Sequence, residues 1–395
     1  MTPEFLLTAA CSRWPPSESR NAAVRSGAKH ITDWNAFLQV VGRQRVVGLV
    51  HGALLSSGIE LSSVIAERLA SQAQFVARNN LILAAETTRL QRAFDVARIP
   101  MLVLKGAALA QLAYGSPTAK QTRDIDVLVA PESAEAAMQL LECEGYALSY
   151  PGARLSEAQL HAVFRYAREV QFKHRDKKFL LEMKWRCVSN PLLLKGVDVH
   201  SPTQNVTLSD GISVRTLAAD DLIAYLCVHG AQHAWSRLKW LADLNALASV
   251  NTDDIVGRYH HAQRIGAGHC AGQALLLCHR LLDLNIPPGL EEEIRSHGRS
   301  ERLVRVAMKT MADTYAEAEP GRGSIGQMRV LLAQFLLGDG LAFFWAECRT
   351  ATVRILDLVD LPLPPGLQFL YPLLRLPLWL WRLTVAGLRT TSPPD

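Results

Sequence analysis

Two aspartates separated by one apolar residue are the strongest sign of chemistry in this sequence. Asp124 and Asp126 alternate with Ile125 and Val127. If this run is a β-strand, residues two apart point the same way, so both carboxylates leave one face while the apolar pair enters the core. Neighbouring carboxylates on an apolar strand repel each other and are costly to dehydrate unless a cation compensates. We therefore predict a Mg²⁺ site here, because Mg²⁺ prefers carboxylate and phosphate oxygens.

A third carboxylate is expected from a later strand. Glu182 stands between Leu181 and Met183, and alternation places it on the polar face together with Lys184. Glu169 is an alternative third acid. With three carboxylates the site would hold two ions, Mg²⁺ or alternatively Mn²⁺, which stabilise the attacking and leaving oxygens of a displacement at phosphorus. We therefore expect the two aspartates and Glu182 to be both metal ligands and catalytic residues.

Residues suited to phosphate binding precede the aspartates. Lys105 and Gly106 end an apolar run, and Ala107 begins a predicted helix. A glycine at this position lets the backbone approach a phosphate closely, and the N-terminus of a helix favours negative charge. The side chains of Lys105 and Arg123 add positive charge against a triphosphate. We therefore expect Lys105, Gly106, Ala107 and Arg123 to contact a nucleoside triphosphate that serves as the donor substrate.

The segments around these residues indicate a small mixed sheet. Strands are predicted at Met101–Leu104, Asp124–Val129, Glu169–His174 and Phe179–Trp185, with helices at 107–113 and Pro131–Glu144 and a polar loop at 114–122. We therefore expect an α+β fold. A mixed-sheet core over residues 99–215 would lie between an N-terminal helical region, 1–98, and a C-terminal helical region, 216–395.

Both flanking regions have helical periodicity. In the first, Thr32 or Asp33 is the expected N-cap of one helix, and the stretch from 61 to 97 suits one or two long helices. In the second, helices are expected at Asp221–His233, Leu238–Ser249, Tyr259–Leu284 and Val304–Ala316.

Two histidines in the second helical region have the spacing of a zinc-binding helix. His229 and His233 are four residues apart, but Gly230 stands where such a motif has its glutamate base. On an unbroken helix the two histidines, Trp240 and Asp243 would share a narrow arc. A zinc site, a face toward nucleotide or acceptor, and a hydrogen-bonded contact between domains are the three alternatives.

Composition and charge exclude several other classes of protein. The chain has 395 residues, of which 49% are hydrophobic and 20% charged, as in ordinary globular proteins. A dispersed net charge of +5 suits anionic substrates but is no strong nucleic-acid signature. Seven scattered cysteines without a CxxC pair argue against a disulfide framework. The N-terminus has no basic lead-in to a signal sequence, so a cytoplasmic location is expected.

The C-terminal segment is unusually apolar. Residues 367–388 are rich in Leu, Trp and Pro, but Pro372, Pro377 and the central Arg375 argue against a membrane-spanning helix. We expect residues 366–395 either to contact a membrane surface peripherally or to contact a protein, including the helical body of this chain.

The order of these motifs resembles that of the DNA polymerase β-like nucleotidyltransferase superfamily. Three segments carry the resemblance: Leu104–Ala107, Asp124–Val127 and Leu181–Met183. More narrowly, the chain resembles the bacterial family usually called uncharacterised nucleotidyltransferase over roughly residues 30–250, where the segment from His229 to Asp243 is also similar. The resemblance implies that residues 99–215 are a nucleotidyltransferase core. It also implies metal binding by the two aspartates and Glu182, with Gly106 and Ala107 against the nucleotide phosphates.

Three features depart from the family pattern. Ala107 replaces a second glycine or a serine, 16 residues separate it from Asp124, and Lys184 stands where a histidine is expected. The function implied is transfer of a nucleoside monophosphate from an NTP to an unidentified acceptor, with release of pyrophosphate. The alternative, favoured by Ala107 and Lys184, is a non-catalytic nucleotide-binding or scaffold protein that serves a biosynthetic pathway.

Overall fold

A five-stranded mixed sheet carries the acidic residues. The structure is a computed structural model that describes residues 1–152, 154–209, 212–250, 254–296, 298–312, 325–375, 377–378 and 381. The strands are β1 (Met101–Val103), β2 (Asp124–Val129), β3 (Tyr146–Tyr150), β4 (Glu169–His174) and β5 (Leu180–Lys184). Their order in the sheet is β1-β2-β5-β4-β3. Strands β2 and β5 are parallel, and the other neighbouring pairs are antiparallel.

The two faces of this sheet differ as the alternation predicted. Ile125 and Val127 of β2 and Leu181 and Met183 of β5 are at most 2% exposed and belong to one apolar core. This core also includes residues of two helices, α5 (Ser63–Val96) and α7 (Ala134–Cys143). The opposite face carries the carboxylates, and the register aligns Asp126 with Glu182 on the neighbouring strand. The parallel pairing therefore brings acids 56 residues apart side by side.

The N-terminal region is helical, as expected. Its first helices are α1 (Pro3–Cys11), α2 (Glu18–Ala28), α3 (Trp34–Gln44) and α4 (Val47–Ser56). Asp33 caps α3, since its carboxylate accepts hydrogen bonds from the backbone N–H groups of Asn35 (2.8 Å) and Ala36 (3.1 Å). The stretch predicted as one or two long helices is the single helix α5. Near its middle, buried Asn80 hydrogen-bonds the loop that leads into β2.

Three strands were not predicted from the sequence. Strand β3 pairs with β4 and completes the main sheet, and β6 (Thr203–Ser209) and β7 (Ile212–Leu217) form a separate two-stranded sheet. The predicted helices and strands of the core are otherwise present. Helix α6 (Ala107–Tyr114) follows β1, a short 3-10 helix (Pro131–Ser133) precedes α7, and α8 (Glu157–Tyr166) precedes β4. The architecture confirms an α+β fold.

The remainder of the described chain is helical. It contains α9 (Ala219–Gln232), α10 (Leu238–Val250), α11 (Ile255–Arg264), α12 (Gly268–Leu282), α13 (Pro288–Ser296), α14 (Arg299–Ala312), α15 (Ile325–Gln334), α16 (Gly340–Thr352), α17 (Ile355–Asp360) and a 3-10 helix at Pro365–Leu370. Among the described residues, no helix has both the length and the apolar character needed to cross a membrane. Much of the C-terminal segment predicted to contact a membrane surface or protein (376, 379–380 and 382–395) lies outside the described residues.

One long helix predicted from periodicity is interrupted. The expected helix over 259–284 breaks between α11 and α12 at Gly266, whose φ is +83°. A Cβ at this glycine would lie 2.2 Å from the backbone oxygen of Leu192, so the chain must turn here without a side chain. A second break separates α9 from α10, as the two helices predicted there indicated, so His229 and Asp243 do not share the arc of one unbroken helix. Helix α9 ends before Ala234 and Trp235, which both have positive φ.

The side chain of Trp235 explains this second break. Its indole is fully buried, and a Cβ on Gly230 would lie 2.4 Å from the ring. Because Gly230 has no side chain, the indole can pack against α9 at this position. Burial of so large an aromatic side chain offsets the cost of the left-handed backbone.

Candidate active site

Three carboxylates converge at the start of β2 and the middle of β5. Oxygen atoms of Asp124, Asp126 and Glu182 all lie within 4.8 Å of one another. Within the part of the chain that the structure describes, no other group of three or more His, Cys, Asp and Glu side chains converges in this way. The residues predicted as ligands are therefore brought together by the sheet register.

Two lysines are in contact with this acidic group. Lys105 follows β1, and its Nζ lies 3.1 Å from Oδ1 of Asp126. Lys184 Nζ lies at the same distance from that oxygen and donates hydrogen bonds to Glu182 (2.5 Å) and Glu169 (2.8 Å). The Oδ1 atom of Asp126 is therefore buried between two ammonium groups.

Burial and charge set the protonation of the acids. Burial alone would raise the pKa of Asp126, but Lys105 and Lys184 hold it well below its usual range. Burial and the adjacent Asp126 carboxylate raise the pKa of Glu182 to about 7. Burial acts in the same direction on Glu169, but Lys184 and Arg168 lower its pKa to about 2. Of these three acids, Glu182 therefore has the highest affinity for a proton.

Asp124 differs from the other acids in its surroundings. Its side chain forms no ion pair or hydrogen bond within the described residues, and it is only partly buried. Together with the carboxylates of Asp126 and Glu182, it presents hard oxygen donors of the kind that divalent cations such as Mg²⁺ prefer. The residues present therefore fit a divalent cation beside Asp124, which no lysine contacts within the described residues.

A cavity of about 210 Å³ opens over these carboxylates. Its walls contain six basic side chains: Arg45, Lys105, Lys120, Arg168, Lys184 and Lys239. Four of the six have acidic partners, whereas Arg45 and Lys239 form no ion pair among the described residues. Acids on one wall and unpaired basic groups on the other are suited to a polyanion that brings its own cation.

Two of the four predicted phosphate-binding residues line the cavity, and two do not. Lys105 and Gly106 line the cavity. Ala107, the first residue of α6, is buried, and Arg123 is exposed; neither lines the cavity. Sequence reasoning assigned no role to the other lining cations, Arg45, Lys120, Arg168 and Lys239. Arg45 ends α3 in a left-handed conformation, and no local pattern relates it to an acid 79 residues away.

An aromatic cluster closes another wall of the cavity. His229, His233 and Trp240 all line it, and their ring centroids lie 4.7–5.4 Å apart. Burial and the nearby Lys105 lower the pKa of His229 well below its usual value, so this ring is neutral near pH 7. Nε2 of His229 is buried without a hydrogen-bond partner. The planes of His233 and Trp240 are inclined by 31°, and these two rings offer an aromatic surface on which a base can stack.

A larger cavity of about 640 Å³ lies beside the first. Arg168 and Glu169 line both cavities, so the two spaces meet at the N-terminus of β4. Arg186 and Arg349 add positive charge to the second cavity, and burial together with Arg349 lowers the pKa of Arg186. A second substrate therefore has room next to the carboxylates.

Gly106 is expected to tolerate no side chain. It precedes α6 with φ +70° and ψ −132°, a conformation that is essentially restricted to glycine. We expect Gly106→Ala to lower the free energy of unfolding by about 1–3 kcal/mol, as measured by urea denaturation. The matched control is Gly42→Ala within α3, where a Cβ meets nothing within 4 Å. Equal stabilities of the two variants would contradict a backbone constraint at the cavity.

The comparison with known families agrees with this geometry. Residues 30–283 match the sequence model of a family described as "Uncharacterised nucleotidyltransferase". The match covers more than half of the 395 residues, and the chain therefore belongs to this family. No curated protein matches the chain. The family resemblance drawn from the Asp124–Asp126 motif is thus confirmed, and the matched region extends to the end of α12.

Proposed function

We propose that this nucleotidyltransferase-family chain transfers a nucleoside monophosphate from an NTP to an acceptor, with release of pyrophosphate. The observation that carries the proposal is the convergence of Asp124, Asp126 and Glu182 on one wall of a cavity whose other walls are basic and aromatic. Mg²⁺ is the proposed cation, with Mn²⁺ as the alternative, held by Asp124 and Asp126 and bordered by Glu182. When bound, such an ion neutralises charge that develops on the phosphate oxygens.

The residues of the chain have separate roles in this reaction. Arg45 and Lys239 attract and orient the triphosphate, because neither side chain forms an ion pair within the described residues. The backbone at Gly106 lets the N-terminus of α6 approach a phosphate. His233 and Trp240 stack on the base. The acceptor enters through the larger cavity, where Arg168 and Glu169 form the boundary, and attacks the α-phosphorus in line.

The proposal is tested with α-labelled nucleotides. The full chain is incubated with Mg²⁺, each α-labelled NTP in turn and fractions of a cell extract, and both pyrophosphate and labelled products are measured. Label transfer that requires Mg²⁺ supports the proposal. If NTP binds with Mg²⁺ but no fraction accepts label, the proposal fails and a non-catalytic nucleotide-binding or scaffold role replaces it. The lysine contacts of the carboxylate cluster are the observation that favours this second role.

Nucleotide affinity is expected to depend on pH through Lys239. Burial, together with the charges of Lys120 and Arg45, lowers the pKa of this amine to about 7, although Asp124 and Asp243 act in the opposite direction. As the pH rises through 7 the free site loses the ammonium charge that attracts the triphosphate. We expect NTP affinity to fall about tenfold from pH 7 to 9, since binding must then include proton uptake. Isothermal titration calorimetry in buffers of different ionisation enthalpy measures both the NTP affinity and the number of protons taken up on binding.

Two variants test whether the Lys239 amine causes this pH dependence. Lys239→Met removes the titrating group, so its NTP affinity should be low and nearly independent of pH over the same range. Lys239→Arg keeps the charge throughout and should also flatten the profile, at higher affinity. A slope in Lys239→Met equal to that of the unmodified chain would show that another group is responsible.

A further inference from the structure

Lys184 occupies the position in the acidic cluster at which a second cation would be expected. Its Nζ lies 2.5 Å from Glu182, 2.8 Å from Glu169 and 3.1 Å from Asp126. The side chain is 3% exposed, and strand β5 fixes its backbone at the centre of the sheet. A buried ammonium group with three carboxylate neighbours is a permanent part of the site, because moving it away would leave both it and the acids uncompensated.

The contacts divide the acids into two sets. Glu182 and Glu169 hydrogen-bond Lys184. Asp124 has no lysine contact in the described part of the chain, whereas Oδ1 of Asp126 lies 3.1 Å from both Lys105 and Lys184. Asp124 is therefore the acid whose oxygens are fully available to a divalent ion. Lys184 already supplies positive charge to the other three acids, Asp126, Glu169 and Glu182.

We propose that Lys184 is a built-in replacement for one metal ion, so that this site binds one divalent cation where a two-metal site would bind two. This inference rests on the proposed function and revises the expectation of two ions drawn from the sequence. The lysine supplies one fixed positive charge to the carboxylates of β2, β4 and β5. Glu169 is thereby a positioning residue for Lys184, because its carboxylate anchors the ammonium group from the neighbouring strand.

The experiment counts bound Mn²⁺ by electron paramagnetic resonance. The full chain is saturated with an ATP analogue whose α–β bridge does not react, and Mn²⁺ is titrated in. We expect one Mn²⁺ per chain with the spectrum of an isolated ion. In Lys184→Met, the freed oxygens of Glu182 and Glu169 should admit a second Mn²⁺. Ions about 3.5–4 Å apart, as in two-metal sites, give a spin-coupled spectrum.

Lys105→Met is the matched control. It also removes an ammonium group from Asp126, but it leaves Lys184 on the two glutamates, so one isolated Mn²⁺ is expected. Circular dichroism and thermal melting establish that each variant is folded. Should Lys184→Met not fold, Lys184→Gln provides a polar replacement. The number of Mn²⁺ ions bound to the unmodified chain still tests the inference, because two ions there would contradict it.

Each outcome bears on the inference. Two Mn²⁺ ions in the unmodified chain, or no gain in the folded Lys184 variant, would overturn it. Label transfer together with two bound ions would overturn this inference alone and leave the proposed transferase reaction standing. Absence of bound Mn²⁺ in every form, together with absence of label transfer, would instead remove the proposed function itself.

Discussion

Asp124→Asn is expected to abolish nucleotidyl transfer while leaving the fold unchanged. The amide keeps the shape of the side chain but loses the charge and most of the affinity for a divalent ion. Because transition-state charge then lacks compensation worth several kcal/mol, label transfer should fall by about 10³-fold or more. Asp124 forms no ion pair within the described residues, so its loss should cost less stability than loss of an ion-paired acid. Thermal melting and label transfer, measured on the same sample, test both parts.

Asp126→Asn provides the contrast. Lys105 and Lys184 both lie 3.1 Å from this carboxylate, and all three side chains are largely buried. Neutralising one member of such a group costs about 3–5 kcal/mol of stability, so this variant should lose both transfer and stability. If Asp124→Asn retained transfer, the proposed cation site would be wrong. If it destabilised the chain as much as Asp126→Asn, Asp124 would be a structural residue instead.

The alternation of a β-strand was sufficient to predict one wall of the site. Residues two apart on a strand share a face, so Asp124 with Asp126, and Glu182 with Lys184, could be paired from the sequence alone. The register that aligns Asp126 with Glu182 depends on parallel pairing of β2 and β5. Only the family resemblance indicated that these two strands would be neighbours. The local geometry therefore came from strand periodicity, and the tertiary pairing came from the order of the motifs.

The opposite wall could not be predicted, because its residues come from distant elements. Arg45 lies at the end of α3, and Lys239 lies on α10. A lysine on a helix is usually exposed to solvent, and nothing local to Lys239 indicates that it is 8% exposed. Lys184 gives the clearest example. Its strand position was predictable, but its carboxylate contacts involve residues of three strands, β2, β4 and β5, and alternation within one strand cannot show this.

Strands with few apolar residues were missed for a related reason. The apolar residues of β6 are Val206 and Leu208, and those of β7 are Ile212, Val214 and Leu217, so each segment has only a short alternation that predicts a strand weakly. Strand β3 follows directly on Gly145, which ends the preceding turn with φ +90°. Its partner β4 was recognised, but a short strand at a sheet edge has little periodic signal of its own.

Asp243→Ala is expected to cause the largest loss of stability outside the carboxylate cluster. Asp243 pairs with Lys120 at 2.6 Å and accepts a hydrogen bond from the hydroxyl of Tyr114 at 3.0 Å, and all three side chains are buried. Removing the shared acid leaves a buried ammonium group and a buried hydroxyl without a partner. We therefore expect a loss of about 3–5 kcal/mol in the free energy of unfolding. Guanidinium denaturation measures this loss, and the dependence of the unfolding free energy on denaturant concentration should stay unchanged.

Two further variants show which part of this network matters. Asp243→Asn keeps an acceptor for Tyr114 but loses the charge opposite Lys120, so its loss should be smaller than that of the alanine variant. Arg25→Ala breaks an exposed ion pair with Glu18 on α2 and should change stability by less than about 1 kcal/mol. Similar losses in the alanine variant and this surface control would contradict a stabilising role for the buried pair.

The position of the Lys120–Asp243 pair connects stability to the site. Lys120 belongs to the loop that leads directly into Asp124, and its side chain lines the cavity. Asn80 of α5 holds the same loop through hydrogen bonds to the backbone of Thr118 and Thr122. Because the pair fastens this loop to α10, Asp243→Ala should weaken NTP binding even at denaturant-free conditions where most molecules are folded. Normal NTP affinity in the folded fraction would show that Asn80 alone is sufficient to position β2.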